Sequence, residues 1–229
     1  MIDRVTMTAV NTKFLAPLAV AGALLMSGCQ QDPSIAAKVG EHDITTSDVA
    51  LLADAMCSER EVLTKQGQQA AAPRSVVHQE ALASLIAAEQ ARLLAQKHDI
   101  AVDQAGVNRV ARDAEANIKG VPEAERPRLR ELISGLLLEQ DVMTKFAALT
   151  YQQQGQPAPQ DPGTLIQAGR QAAASSGELA EVEVNPRFGA AGMEGIGAPE
   201  DVLSKPVGDK ADKSAETDLT GMPANLRCG

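Results

Sequence analysis

The stretch "AAKVGEHDITTSDV", residues 36–49, carries the clearest local signals of structure in this chain of 229 residues. Its first part consists of two short strand-like pieces on either side of Gly40-Glu41, a pair typical of a hairpin turn. We therefore predict a strand pair within residues 35–45. The threonines that follow can cap a helix, so the hairpin is expected to lead directly into one.

After this hairpin, the chain is predicted to be mainly helical. Thr45 or Thr46 can cap the first helix, Asp48 is favourable in its first turn, and Asp103 is the expected cap of the third helix. Apolar spacing and helix breakers predict helices over residues 47–66, 74–98, 103–119, 127–153 and 162–175. The fourth of these has the most regular apolar face.

The last third of the chain is predicted to contain one strand and a tail. Residues 152–163, "QQQGQPAPQDPG", are typical of an exposed loop. Val182 and Val184 alternate with glutamates, which is the period of a half-buried strand. Beyond this strand large apolar residues become rare, and residues 190–229 are therefore expected to be irregular or disordered.

The first 28 residues are arranged like a secretory signal. A basic start precedes the uncharged run "FLAPLAVAGALLM" (14–26), which is shorter than the ~20 residues that a membrane-spanning helix needs. The next residues, "MSGC", resemble the bacterial lipobox and end at Cys29. We therefore predict a cleaved signal peptide over residues 1–28, lipidation of Cys29 and a tether over residues 29–34. An ordinary signal peptide with a nearby cysteine and an uncleaved anchor are the alternatives.

Two cysteines remain after the predicted cleavage site, Cys57 in the first predicted helix and Cys228 at the penultimate position. The lipidation signal places the mature chain on the extracytoplasmic side of the cell membrane, where a pair of cysteines is expected to form a disulfide. Such a bond would attach the tail to the helical body. Two free thiols, one buried and one exposed, are the alternative.

The composition argues against several classes of function. A net charge of −9 and an aromatic content of 2% are unlike those of nucleic-acid-binding proteins, so no nucleic-acid partner is expected. His42, His78 and His98 are isolated, and metal-ligand spacings are missing from the sequence. The glycine-rich residues 189–197 lack the lysine of a phosphate-binding loop. We therefore predict no catalytic, cofactor-binding or metal-binding residue, and a protein that is not an enzyme.

Three segments resemble the SurA-like N-terminal chaperone domain. The opening stretch follows the pattern V-x-G-x-x-I-T-x-x-D/E-V, and the matching residues are Val39, Gly40, Ile44, Thr45, Asp48 and Val49. Residues 80–107 resemble the next helical section of the family, and "EVEVNPRFG" (181–189) resembles its returning strand. Together these segments place the domain at residues 35–189. The resemblance implies a helical chaperone module in which the first hairpin and the late strand meet in a small sheet.

This resemblance also suggests a function. It implies a membrane-anchored extracytoplasmic chaperone or holdase that binds unfolded or exported polypeptides without catalysis and without a cofactor. Many relatives carry a parvulin prolyl isomerase domain after the fourth helix, but residues 152–163 are too few to fold into such a domain. A structural or adaptor lipoprotein that binds one folded partner in the cell envelope is the alternative.

Overall fold

The computed structural model describes residues 32–188, Leu219 and residues 221–229, together with the backbone of two short strands between 191 and 196. The predicted signal peptide and Cys29 lie outside the described residues, as does most of the predicted tail. Within the described part the chain is mainly helical with a small antiparallel sheet, which confirms the predicted fold class.

The helices begin and end within two residues of their predicted limits. They are α1 (Thr46–Lys65), α2 (Arg74–Lys97), α3 (Gln104–Asn117), α4 (Arg126–Gln153) and α5 (Pro162–Ser176). The strands are β1 (Ile35–Val39), β2 (His42–Thr45), β3 (Ala72–Pro73), β4 (Val182–Val184), β5 (Ala191–Gly192), β6 (Gly195–Ile196) and β7 (Arg227–Cys228). Strands β3 and β7 were not predicted from the sequence, because two-residue strands carry no periodic pattern.

The first hairpin and the late strand form one sheet with the strand order β2-β1-β4. Within it, Val39 lies opposite both His42 on β2 and Val182 on β4, and both pairings are antiparallel. The contact between the two ends of the domain, expected from the resemblance, is therefore confirmed. Residues that are far apart in the sequence build a common core.

Local interactions explain where the sheet and the first helix begin. Gly40 has a φ of +59° in the hairpin turn, a backbone conformation that glycine adopts without strain. Thr45 caps α1 as predicted, because its side-chain oxygen accepts a bond of 3.1 Å from the backbone N–H of Asp48. The Gln90 amide donates to the carbonyl of Ala180 at 2.9 Å, which fixes the approach to β4.

Buried side chains form two apolar clusters. The first lies beneath the sheet and includes Val39, Val49, Leu82 and Leu129. The second joins the ends of α2 and α4 to α5, and it includes Leu94, Val142, Phe146 and Ala173. Because α2 and α4 contribute to both clusters, these two long helices connect the sheet end of the domain to α5.

Buried carboxylates attach α4 to its neighbours. Asp48, Glu115 and Glu139 are each 6% exposed or less. Asp48 accepts hydrogen bonds from Arg128, Glu115 from Arg126 and Arg130, and Glu139 from Arg170. These guanidinium groups hold the pKa of Asp48 and the pKa of Glu115 below the usual carboxylate range, because they stabilise the charged form. Every helix except α2 therefore contacts α4 through a paired charge.

The last residues of the chain pack on the body of the protein. A disulfide joins Cys57 on α1 to Cys228 on β7, with a Cα–Cα distance of 4.8 Å that is ordinary for such a bond. Strand β7 pairs with β3, and Cys228 is 3% exposed. The prediction of an irregular tail over residues 190–229 is therefore wrong for its final residues. The disulfide, the β3 pairing and the burial of Cys228 in an apolar cluster hold them against the body.

Candidate functional site

An open groove of about 240 Å³ lies where β2, α2 and α4 meet, and we call it the hairpin groove. Half of its lining residues are apolar: Ile44, Leu85, Ala88, Leu132, Gly135 and Leu138. The other half are charged: Asp43, Asp48, Glu89, Arg92, Arg128 and Glu131. Most of the apolar residues are buried, whereas most of the charged ones are exposed or half-buried, so the groove has an apolar floor and a charged rim.

Small residues on both helices keep the floor open. Leu85 and Ala88 are three residues apart on α2, and the floor residues of α4 repeat at the same spacing, so each set shares one helix face. A Cβ added at Gly135 would lie 3.5 Å from the Cβ of Ala88, an ordinary contact distance. Because neither residue extends a long side chain, a trough remains between the flanking leucines.

Arg128 organises one side of the rim. Its Nε and Nη2 atoms donate to the two carboxylate oxygens of Asp48 at 2.7 and 2.8 Å, and its Nη1 atom donates to Glu131 at 2.7 Å. This two-pronged geometry fixes the guanidinium plane as well as its distance from the carboxylate. Asp48 also accepts a bond from the Thr45 hydroxyl, so the helix cap and the rim form one network.

Arg92 organises the other side of the rim. Its Nη2 atom donates to Glu89 at 2.6 Å and lies 2.7 Å from the Nε2 atom of His42. The hydrogen bonds from Arg92 to Glu89 raise the pKa of the arginine, so the guanidinium stays charged. His42, isolated in the sequence, is thus part of a charged cluster in the folded chain.

The rim is acidic overall. Four carboxylates face two arginines around the groove, a balance of −2 when all are charged. The lining contains no serine, threonine or cysteine that could act as a nucleophile. An apolar floor with an acidic rim suits the non-covalent binding of an apolar side chain whose neighbours are neutral or basic.

A second, larger groove of about 580 Å³ lies between the end of α4 and α5. Its polar lining residues are His98, Thr150, Tyr151, Gln153, Gln154, Gln156, Gln171, Ser175, Ser176 and Glu178. We call it the glutamine groove, after the side chains that dominate it. Glu178 is its one carboxylate, and it is engaged by Lys97 and by His98.

The residues singled out from the sequence have mixed outcomes. Cys57 and Cys228 are joined, whereas Cys29 lies outside the described residues. No group of three potential metal ligands occurs in the part of the chain that the structure describes. Sequence reasoning did not find Arg92 or Arg128, since isolated arginines on amphipathic helices carry no signal of a site.

None of the described helices is both long and apolar enough to cross a bilayer. No protein family, no curated protein and no solved structure matches this chain.

Proposed function

We propose that this protein is an extracytoplasmic chaperone of the holdase type, lipid-anchored to the bacterial cell membrane, which binds unfolded or exported polypeptides without catalysis. The observation that carries the proposal is the hairpin groove, an open trough with an apolar floor at the junction of the sheet and two long helices. The sheet that closes the domain is also the feature expected of a SurA-like module.

The size of the hairpin groove supports weak, reversible binding. Its volume of about 240 Å³ is below the ~300–1,000 Å³ that is typical of small-molecule sites, so it suits one or two side chains of an extended polypeptide. Burying one large apolar side chain contributes about 1.5–3 kcal/mol. A client held by such contacts can leave unaided as its own folding withdraws the apolar side chain.

A test of this proposal is the suppression of aggregation by the purified full chain. We expect a several-fold molar excess to slow the light-scattering increase of a client diluted from guanidinium chloride. The assay contains no thiol reductant, so that the Cys57–Cys228 bond stays intact. Gly135→Glu places a charge on the apolar floor and should weaken client binding about 10- to 100-fold, the loss of one apolar contact.

The matched control for this variant is Gly135→Ala, which adds one methyl group in an ordinary contact with Ala88 and keeps the floor apolar. It should protect the client as well as the unchanged chain does. Equal thermal stability of the two variants shows that the glutamate acts on binding and not on folding. If the chain without substitutions did not slow the light-scattering increase of the client, the holdase proposal would be contradicted.

The proposed anchor is a lipid on Cys29, supported by the apolar run and small residues that precede this cysteine. In bacteria supplied with a labelled fatty acid, we expect the protein to incorporate the label and to sediment with membranes, because more than one acyl chain holds a protein firmly. Cys29→Ser should abolish both, whereas Cys57→Ser should leave both intact. Label retained in the Cys29→Ser variant would rule out this anchor.

A structural or adaptor lipoprotein with one folded partner is the second candidate. The fixed geometry of the rim favours it, because the two-pronged contact between Arg128 and Asp48 presents a rigid pattern of charge rather than an adaptable surface. Cross-linking in cells distinguishes the candidates: many unrelated clients support the holdase, and one stoichiometric partner supports the adaptor.

A further inference from the structure

The glutamine groove has a different chemistry from the hairpin groove. Its lining is rich in neutral groups that both donate and accept hydrogen bonds, the amides of Gln153, Gln154, Gln156 and Gln171 and the hydroxyls of Thr150, Tyr151, Ser175 and Ser176. Its one carboxylate, Glu178, is already engaged by Lys97 and His98. The groove therefore presents polar groups without an unpaired charge in its lining.

Most of this hydrogen-bonding capacity is unused by the protein. The four glutamine amides make no side-chain hydrogen bond to any residue that the structure describes, and all four residues are exposed. The hydroxyls of Thr150, Ser175 and Ser176 donate to carbonyls of their own helices, which leaves their oxygens able to accept. A ligand that carries both donors and acceptors would therefore find partners on both walls.

An aromatic surface accompanies these polar groups. Tyr151 is half-buried in the groove and is the one tyrosine of the chain. Phe146 lies in the lining and is 8% exposed, with its ring 5.3 Å from that of His98 in an edge-to-face contact. A tyrosine presents an apolar ring face together with a polar tip, which suits a ligand with C–H faces and hydroxyl edges.

We propose that the glutamine groove binds a neutral oligosaccharide. Sugar rings combine hydroxyls that donate and accept with apolar C–H faces, and this combination matches amides and hydroxyls placed around an aromatic ring. A volume of about 580 Å³ falls within the ~300–1,000 Å³ of small-ligand sites. A phosphorylated ligand fits less well, since the lining contains no arginine or lysine.

A polypeptide is the other occupant to distinguish. An unfolded apolar segment would gain more from the hairpin groove, whose floor includes three leucines and an isoleucine and carries no amide or hydroxyl side chain. Eight of the fifteen lining residues of the glutamine groove carry an amide or a hydroxyl, against five apolar residues, and a sugar satisfies such groups with its own hydroxyls. The sugar site is independent of the holdase proposal, because the two grooves share no lining residue.

The composition of the chain provides a direct readout. Tyr151 is the single tyrosine and there is no tryptophan, so the ultraviolet emission of the full chain reports on this groove. The probes are a tetramer of N-acetylglucosamine, a tetramer of glucose, and an apolar peptide without tyrosine or tryptophan. We expect at least one of the two oligosaccharides to change the Tyr151 emission in a saturable way at millimolar concentration or below.

Variants then locate the binding site. Gln153→Ala and Gln171→Ala should each weaken oligosaccharide binding about 3- to 10-fold, as expected for one lost neutral hydrogen bond. The matched control is Gln152→Ala, because Gln152 is exposed on α4 beside Gln153 but does not line the groove. The affinity of this variant for the oligosaccharide should be unchanged. Unchanged emission with both sugars, equal affinity in all variants, or a response to the peptide alone would each overturn the proposal.

Discussion

Reduction of the Cys57–Cys228 disulfide is expected to lower the free energy of unfolding of this protein by about 3–5 kcal/mol. The bond joins residues that are 171 positions apart, so it closes most of the chain into one loop. In the chain-entropy account, a loop of this length strongly restricts the unfolded state, and breaking it restores that freedom. The folded state also loses support, because the disulfide is the covalent link between β7 and α1.

Urea unfolding of the full chain with and without reductant measures this effect. The double variant Cys57→Ser/Cys228→Ser should reproduce the reduced chain, and Cys29→Ser is the matched control that leaves the disulfide intact. In the double variant, hydrogen exchange at the β3–β7 pairing should become fast. An unfolding midpoint that reductant does not move would show that the disulfide adds nothing to stability.

The first hairpin and the helix caps are the parts of the fold that sequence reasoning could predict. Their signals are local, because Gly40 and Thr45 act on residues within one turn of themselves. The Asp103 cap was found in the same way, and its carboxylate accepts from the Gly106 backbone at 3.0 Å. The alternation of Val182 and Val184 with glutamates predicted the late strand. Its pairing with the first hairpin was expected from the family resemblance.

The rim of the hairpin groove could not be predicted, because its contacts join distant parts of the chain. Asp48 and Arg128 are 80 positions apart, and each alone is typical of a solvated helix surface. The same holds for Glu139 and Arg170, which connect α4 to α5. The presence of such pairs depends on how the helices pack, and helical spacing within one element carries no information about that.

The sequence also gives no indication that glycines within helices are important for packing, although two of them determine how closely the helices approach each other. Gly135 on α4 faces Ala88 on α2, and Gly169 on α5 faces the backbone of Met143 on α4. In the sequence both positions are simply unfavourable residues in otherwise regular helices. Their role is visible only when the neighbouring helix is in place, and it differs sharply between the two positions.

Gly169→Ala is expected to lower the free energy of unfolding by about 2–3 kcal/mol, the cost of overpacking a close helix contact. A Cβ at this position would overlap the carbonyl oxygen of Met143 and lie 2.7 Å from its carbonyl carbon. Backbone atoms cannot move aside as a side chain can, so α5 must shift away from α4. The same shift should alter the glutamine groove, and therefore the emission of Tyr151.

Gly135→Ala makes the matched comparison, since it is the same substitution in a helix where the added methyl group has room. It should be neutral or stabilise the protein by up to ~1 kcal/mol, because alanine favours helix over glycine. In urea unfolding, the same substitution is therefore expected to lower the free energy of unfolding at position 169 and to leave it unchanged or raise it at position 135. Equal stability of the two variants would show that α5 does not approach Met143 closely in solution. The walls of the glutamine groove would then lie farther apart than the structure places them.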